Sequence, residues 1–233
     1  MKIDKFLNSP NPYIFNKKNN FFFKRLKYLT FYHYKKSVNY KKILRMFDLN
    51  QINNLYELPF LHADIFKSRN MISTNKNEIF KILKSSGTSS GSRSKIFLDK
   101  ENSINQRLTL SKLFQYNFGS ERYPMLVVDK NPKFKSPKEF DAKTAAFLGF
   151  SSFGSNHTFL LDKDNNIDFE VFNKFTNKHK GKIFIFGFTS SVYENLIKKF
   201  NNSSYLHRLK NAYVLHGGGW KKMEDQKISN LKF

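Results

Sequence analysis

The pattern of apolar and polar positions differs between two regions of the chain. Residues 1–75 mix helical and irregular patterns, with no sustained period. From Asn77 onward, short β-prone runs alternate with runs whose apolar positions recur at helical spacing. We therefore expect a helical amino-terminal segment (residues 1–75) packed on an α/β core (residues 76–233).

The second region is predicted to contain βαβ units. The predicted strands are 78–84, 95–99, 125–129, 182–187 and 212–215. Asp99 is positioned to cap a helix, while Ser191 and Glu194 have the spacing of a capping box at the start of another. A strand, a helix and a further strand in succession indicate a parallel sheet that binds ligands at the carboxyl ends of its strands.

Aromatic and basic residues are mixed, with no clean period, over positions 21–34. Such a run could stack on nucleic-acid bases or lie at a membrane interface. It is also typical of a helix that packs its rings inward while lysine stems extend along the surface, and this second interpretation is favoured.

Composition excludes several classes of site. Of the 233 residues, 39% are hydrophobic and none is cysteine, so a core is available but disulfides, thiolate metal sites and cysteine nucleophiles are absent from this chain. No run approaches the roughly 18 apolar residues of a membrane span, and the amino end lacks the apolar stretch of a secretory signal. The histidines show no metal-ligand spacing, and the acidic run over 162–168 indicates a polar turn, so no metal site is predicted. We expect a cytoplasmic protein without a membrane span.

The chain is strongly basic, with 41 Lys and Arg against 18 Asp and Glu, for a net charge of +23. A basic surface can bind nucleic acid by releasing counterions from phosphates. Because the lysines are spread along the whole chain, a general compositional bias is favoured over a dedicated nucleic-acid surface. An anionic substrate or an acidic partner fits the charge equally well.

A loop of small residues separates the first two predicted strands. It reads Ser86-Gly87-Thr88-Ser89-Ser90-Gly91, and Lys95 follows. Amides, hydroxyls and an ammonium group on one loop suit a polyphosphate, because its charge needs many donors at short range. The Walker pattern does not fit, since the glycines are too close, Ser92 stands where lysine is needed, and a strand follows. By composition alone, a flexible hairpin turn is equally compatible.

A second loop, rich in glycine, follows the last predicted strand. It reads His216-Gly217-Gly218-Gly219-Trp220-Lys221-Lys222. Three glycines leave room for a flat ring to approach the backbone, and the lysines could meet negative charge. The alternative is a plain glycine turn after an edge strand.

Together the two loops resemble the motifs of one family. The first resembles the S-G-T-[ST]-G-x-x-K phosphate loop of the adenylate-forming superfamily, with an additional residue and Ser92-Arg93-Ser94 before the lysine. The second resembles the H-G-G-G-W-K segment of the LuxE-type acyl-protein synthetases within that superfamily. Phe186-Gly187-Phe188-Thr189-Ser190 is also similar to the family pattern. The similar pieces span about residues 80–222.

The resemblance implies an α/β fold, namely part of the large amino-terminal domain of an adenylate-forming enzyme, with a mixed or parallel sheet flanked by helices. It implies activation of a carboxylic acid, of the fatty-acid class, by ATP and Mg²⁺, with transfer of the acyl group to an acceptor protein or a reductase. Residues 86–91 would hold the phosphates, with Thr88 and Lys95 as the catalytic residues. Gly217, Gly218 and Gly219 would seat the adenine, and the acyl pocket would be bordered by Gly187, Phe188 and Trp220.

The sequence also departs from the family pattern. The later aromatic-Gly-x-[ST]-Glu motif, the ribose-binding Asp, the lid with its catalytic Lys and the acyl-accepting cysteine have no counterpart. A truncated relative with weak or no adenylation by itself is therefore expected, since water would be poorly excluded. The alternative is a non-catalytic basic protein that binds nucleic acid or another polyanion.

Overall fold

The computed structural model describes residues 7–13, 19–85, 93–132, 139–200 and 204–220, together with Asp225 and Ile228. The predicted phosphate loop over residues 86–91, and Lys221 and Lys222 of the glycine-rich loop, lie outside these residues. The chain forms two compact units, one of residues 1–119 and 134–146, the other of residues 120–133 and 147–233. The proposed domain limit near residue 75 stays a prediction.

The regular elements are numbered in chain order. The helices are α1 Asn19–Lys36, α2 Val38–Ile43, α3 Ile65–Ser68, α4 Lys100–Phe118, α5 Ala142–Ser151, α6 Phe169–Lys178, α7 Thr189–Val192 and α8 Ser204–His207. The strands are β1 Lys81–Lys84, β2 Lys95–Leu98, β3 Tyr123–Val127, β4 Glu139–Asp141, β5 Gly154–Phe159, β6 Ile183–Phe188 and β7 Ala212–Gly217. Single 3₁₀ turns lie at Leu49–Gln51, Leu55–Glu57 and Lys76–Glu78, and a π-helical turn at Tyr193–Lys198 continues α7.

The amino-terminal part of the first unit contains the helices α1, α2 and α3. Its small core consists of Leu44, Leu49, Ile52 and Leu58. One face of α1 packs on this core through Phe23, Leu26, Phe31 and Tyr34. The Lys27 ammonium donates to the carbonyl of Ile52 at 2.5 Å. The opposite face leaves Phe22, Tyr28 and Tyr32 exposed, so only part of the aromatic run packs inward.

The first unit also contains a three-stranded sheet in the order β2-β1-β4. β1 and β2 are antiparallel, while β4 is parallel to β1. The two strands predicted on either side of the serine-rich loop are thus confirmed, although β1 begins only at Lys81 because Lys76–Glu78 forms a 3₁₀ turn. The Asp99 carboxylate accepts a hydrogen bond from the amide of Asn102 at 2.7 Å, which starts α4 as predicted.

The second unit is built on a parallel four-stranded sheet in the order β5-β3-β6-β7. β6 is buried along almost its whole length, which is typical of a parallel strand covered on both faces. The predicted α/β class, with a sheet flanked by helices, is confirmed. The core of the unit comprises Leu126, Val128, Leu160, Leu161, Ile167, Phe172, Phe175, Ile183, Ile185, Val192, Leu196, Phe200 and Leu209.

The predicted capping box of Ser191 and Glu194 is wrong. The helix begins two residues earlier, at Thr189, so Ser191 lies inside it. The Ser191 hydroxyl instead donates to the carbonyl of Val128 at 2.7 Å. Glu194 pairs with Lys198 one turn later, at 2.8 Å. The carbonyl of Val128, directly after β3, thus takes the serine hydroxyl that was expected to cap the helix. The spacing of residues in the sequence contains no information about such a distant acceptor.

Among the described residues, no helix is both long enough and apolar enough to cross a membrane.

Candidate functional site

The carboxyl ends of β6 and β7 form one edge of the parallel sheet in the second unit. Phe188 lies in register with Gly217, and Gly187 with His216. Because parallel neighbours end at the same sheet edge, the glycine-rich loop and the start of α7 emerge side by side. The sequence-predicted residues Gly187, Phe188 and Gly217–Gly219 are therefore brought together here.

The three glycines of the loop differ in the space around them: Gly218 is crowded, whereas Gly217 and Gly219 have free space where a side chain would begin. Gly218 and Gly219 have φ of +87° and +71°, in the left-handed region that favours glycine. A β-carbon at Gly218 would lie 2.4 Å from Cδ1 of Phe188, whereas one at Gly217 or Gly219 would meet no heavy atom within 4 Å. The backbone at Gly217 and Gly219 is therefore open, and the adenine that these glycines were expected to seat stays a prediction.

Close packing around Gly187 leaves no room for a side chain. A β-carbon there would lie 2.7 Å from Cγ2 of Val192 and 3.0 Å from Cβ of Val128. The missing side chain allows α7 to cross close to the end of β3. The role of Gly187 at an acyl pocket stays a prediction.

Thr189 and His216 form a hydrogen bond at the same edge. The Thr189 hydroxyl and Nδ1 of His216 are 3.1 Å apart. Thr189 is buried, and burial lowers the pKa of the half-buried His216 below its ordinary value, which favours a neutral imidazole at neutral pH. The bond connects the first residue of α7 to the first residue of the glycine loop.

Sequence reasoning missed the pairing of Thr189 with His216. The histidine entered only as part of the glycine motif, and the threonine only as one of several possible helix caps. Their positions in the sequence could have indicated the pairing. Thr189 and His216 both lie just after predicted strands, and these two strands were predicted to be parallel neighbours.

Trp220 directly follows the three glycines of the loop and is buried. Its ring packs edge-on against Tyr193 of the π-helical turn, with the centroids 4.9 Å apart. This contact attaches the loop to the helical segment that follows β6. Contact between Trp220 and a substrate stays a prediction.

The other predicted site residues belong to the first unit. Lys95 is exposed at the start of β2, and the Ser85 amide donates to the carbonyl of Ser94 at 3.0 Å where the hairpin opens toward the loop. Ser86, Gly87, Thr88, Ser89, Ser90 and Gly91 lie outside the described residues. That the two loops form one nucleotide site therefore stays a prediction.

The described part of the chain contains no group of three or more His, Asp or Glu side chains that could hold a metal ion. The acidic run forms the polar turn expected from its pattern, since the Asp162 carboxylate accepts from the amides of Asp164 and Asn166 at 2.8 and 2.9 Å. These residues do not assemble a protein-held magnesium site.

A protein-family model matches the chain. The model of the family described as acyl-protein synthetase, LuxE, matches residues 1–233, which is the full length of this sequence. No curated protein matches the chain.

Proposed function

The chain belongs to the LuxE acyl-protein synthetase family, and from this premise we propose that it uses ATP to activate a carboxylic acid of the fatty-acid class. The product is an acyl-adenylate whose acyl group passes to an acceptor protein. The observation that carries the proposal is the glycine loop, which presents open backbone at the carboxyl edge of a parallel sheet in a chain matched throughout by this family.

The proposed step is an in-line displacement at phosphorus. A carboxylate oxygen forms a bond to the α-phosphorus of ATP, and the bond from that phosphorus to the bridging oxygen breaks, releasing pyrophosphate. Such a reaction needs positioning and charge neutralisation more than covalent help from the protein. Magnesium, entering with the nucleotide, would neutralise part of the phosphate charge.

In this proposal, each loop has its own task. The backbone at Gly217 and Gly219 seats the adenine, and Phe188 supports the loop from beneath through Gly218. The hydrogen bond between Thr189 and His216 holds the loop at its first residue. Residues 86–91 donate amides and hydroxyls to the phosphates, and Lys95 adds a positive charge. Since these 233 residues contain no cysteine, a thiol acceptor for the acyl group belongs to another polypeptide segment or a partner such as a reductase.

Two measurements test the proposal. ATP with Mg²⁺ is expected to raise the melting temperature, and a long-chain fatty acid to raise it further. Any exchange of pyrophosphate into ATP by this chain should be slow and should depend on the acid. A protein that shows neither ATP protection nor acid-dependent exchange would contradict the assignment.

The same measurements distinguish the proposed enzyme from a non-catalytic basic protein that binds polyanions. A basic protein that only binds polyanions would be stabilised by oligonucleotides as well as by ATP, and its affinity would fall steeply with salt. It would also show no response to the fatty acid. No family match supports this alternative.

A further inference from the structure

The glycine loop contacts the segment that follows β6 at three alternate positions. The contacting pairs, with the loop residue first, are His216 with Thr189, Gly218 with Phe188, and Trp220 with Tyr193. Gly217 and Gly219 lie between these contacts, and a β-carbon at either would meet no heavy atom within 4 Å. The loop is thus held before, within and after its three glycines, and its open backbone lies between the contacts.

Of these three contacts, the one between Trp220 and Tyr193 lies after Gly219. Glycine has more conformational freedom to lose on ordering than any other residue, so a glycine stretch held from one side alone would sample many conformations. A contact on the far side of Gly219 restricts the backbone there from both directions. Because a backbone that is ordered before its ligand arrives costs less free energy to bind with, such a contact raises affinity.

Tyr193 is directed toward the loop by its place on the helical segment. Thr189 and Tyr193 are four residues apart, so they lie on one face of the helix, and both contact the loop. Val192 and Leu196, on the neighbouring face, belong to the core of the unit. One face of this segment therefore packs in the core, and the next one holds the loop.

The ring of Tyr193 has a second contact, within its own turn. The Lys198 ammonium lies 5.3 Å from the centroid of the Tyr193 ring and forms an ion pair with Glu194 at 2.8 Å. Tyr193 and Lys198 are five residues apart, which is the hydrogen-bond spacing of the π-helical turn that they begin and end. The wide turn thus brings the lysine to the ring. Such turns are rare and occur frequently at functional sites.

We propose that Tyr193 is a positioning residue for the purine of the nucleotide: it holds Trp220 and thereby fixes the backbone at Gly219 before the ligand binds. The inference rests on the proposed function, in which the glycine loop seats the adenine. It extends that function by assigning a role to a residue outside the loop motifs. Since the phosphates are assigned to other residues, the effect of Tyr193 should be confined to ligands that carry the purine.

The test uses the full chain, with ATP and inorganic tripolyphosphate as separate probes. Tyr193→Leu removes the ring, and Tyr193→Phe keeps it. Tyr205→Leu is the matched control, because Tyr205 is also half-buried and packs edge-on against Phe172, with the centroids 5.6 Å apart, but lies in α8, before β7. Binding is measured by titration calorimetry and stability by thermal unfolding. The order of the loop without ligand is measured by acrylamide quenching of the emission of Trp220, the single tryptophan.

We expect Tyr193→Leu to raise the Kd for ATP about fivefold and to leave the Kd for tripolyphosphate within about twofold of the natural value. Acrylamide should quench Trp220 more strongly in this variant. Tyr193→Phe should match the natural chain in both measurements. Tyr205→Leu should lower the melting temperature, because it also removes a packed ring, but it should change neither the Kd for ATP nor the quenching. If Tyr193→Leu does not fold, Tyr193→Met, which fills more of the same space, takes its place.

Unchanged quenching in Tyr193→Leu would overturn the inference. An equal loss of ATP affinity in Tyr205→Leu would show that the loss follows stability alone, and an equal loss in Tyr193→Phe would assign it to the hydroxyl; either result contradicts the proposal. If the natural chain does not bind ATP, the proposed function fails, and stronger quenching in Tyr193→Leu alone still shows that Tyr193 holds the loop. If the natural chain binds ATP and Tyr193→Leu leaves the Kd unchanged, the function stands and the positioning role fails.

Discussion

Gly218 rests against the ring of Phe188, so closely that a β-carbon at Gly218 would lie 2.4 Å from Cδ1 of that ring. Phe188 ends β6 and Gly218 follows β7, its neighbour in the sheet. The contact therefore couples the course of the glycine loop to the end of the adjacent strand. It also makes Gly218 distinct from the glycines on either side.

This contact predicts different outcomes for alanine at neighbouring positions. Gly218 and Gly219 both have positive φ, which costs alanine roughly 1–2 kcal/mol. Only Gly218→Ala adds a clash with Phe188, and overpacking of this kind costs about 1–3 kcal/mol more. Urea unfolding should rank Gly218→Ala as the less stable of the two, with Gly217→Ala close to the natural chain in stability. Equal losses at 218 and 219 would show that the ring moves aside freely.

Removing the hydrogen bond between Thr189 and His216 should weaken nucleotide binding as well as lower the stability of the fold. Thr189→Val keeps the shape but removes the hydroxyl, and Thr189→Ser restores it. Thr176 is the matched control, because it is also buried and its hydroxyl donates to the carbonyls of Phe172 and Asn173 in its own helix. Each valine variant should lose about 1 kcal/mol of stability.

Only Thr189→Val should also reduce the rise in melting temperature produced by ATP. Thr189→Ser should recover that rise. If Thr176→Val reduced the ATP-induced rise in melting temperature as much, that rise would depend only on the stability of the protein. Such a result would contradict a role for Thr189 in positioning the loop.

Two histidines predict a loss of stability in mild acid. Burial lowers the pKa of His33 and of His216 below the ordinary value of 6.5. The unfolded chain therefore takes up protons at these positions before the folded chain does, and stability falls as the pH drops through about 6.5. The Tm should be lower at pH 5.5 than at pH 7.5, a range that lies above the titration of the carboxylates. In His33→Gln, this pH dependence should be weaker, and an unchanged dependence would contradict the assignment of His33.

The single tryptophan offers a direct report on the glycine loop. Trp220 is the only tryptophan of the chain, and it is buried against Tyr193 directly after the three glycines of that loop. If the loop seats adenine, ATP should change the intensity or wavelength of its emission, with a saturable dependence on concentration. Inorganic tripolyphosphate, which lacks the purine, should change it less. Equal responses to the two ligands would argue against adenine at this loop.

The elements of this protein could be predicted where the signal is local. The unbroken apolar run of β6, the cap of α4 at Asp99 and the two strands beside the serine-rich loop follow from neighbouring residues alone. The error at Ser191 has the opposite origin, since its hydroxyl binds a carbonyl 63 positions away. Local spacing cannot anticipate an acceptor that only folding brings near.

By itself, the sequence determined the periodicity of five of the strands, the two loops of small residues and the family to which the motifs point, because these depend on residues close together in the chain. The tertiary structure alone decided the strand order β5-β3-β6-β7, the contact of Gly218 with Phe188 and the bond between Thr189 and His216. Periodicity specifies which face a side chain occupies but not which partner will cover it. That choice depends on the packing of the whole sheet.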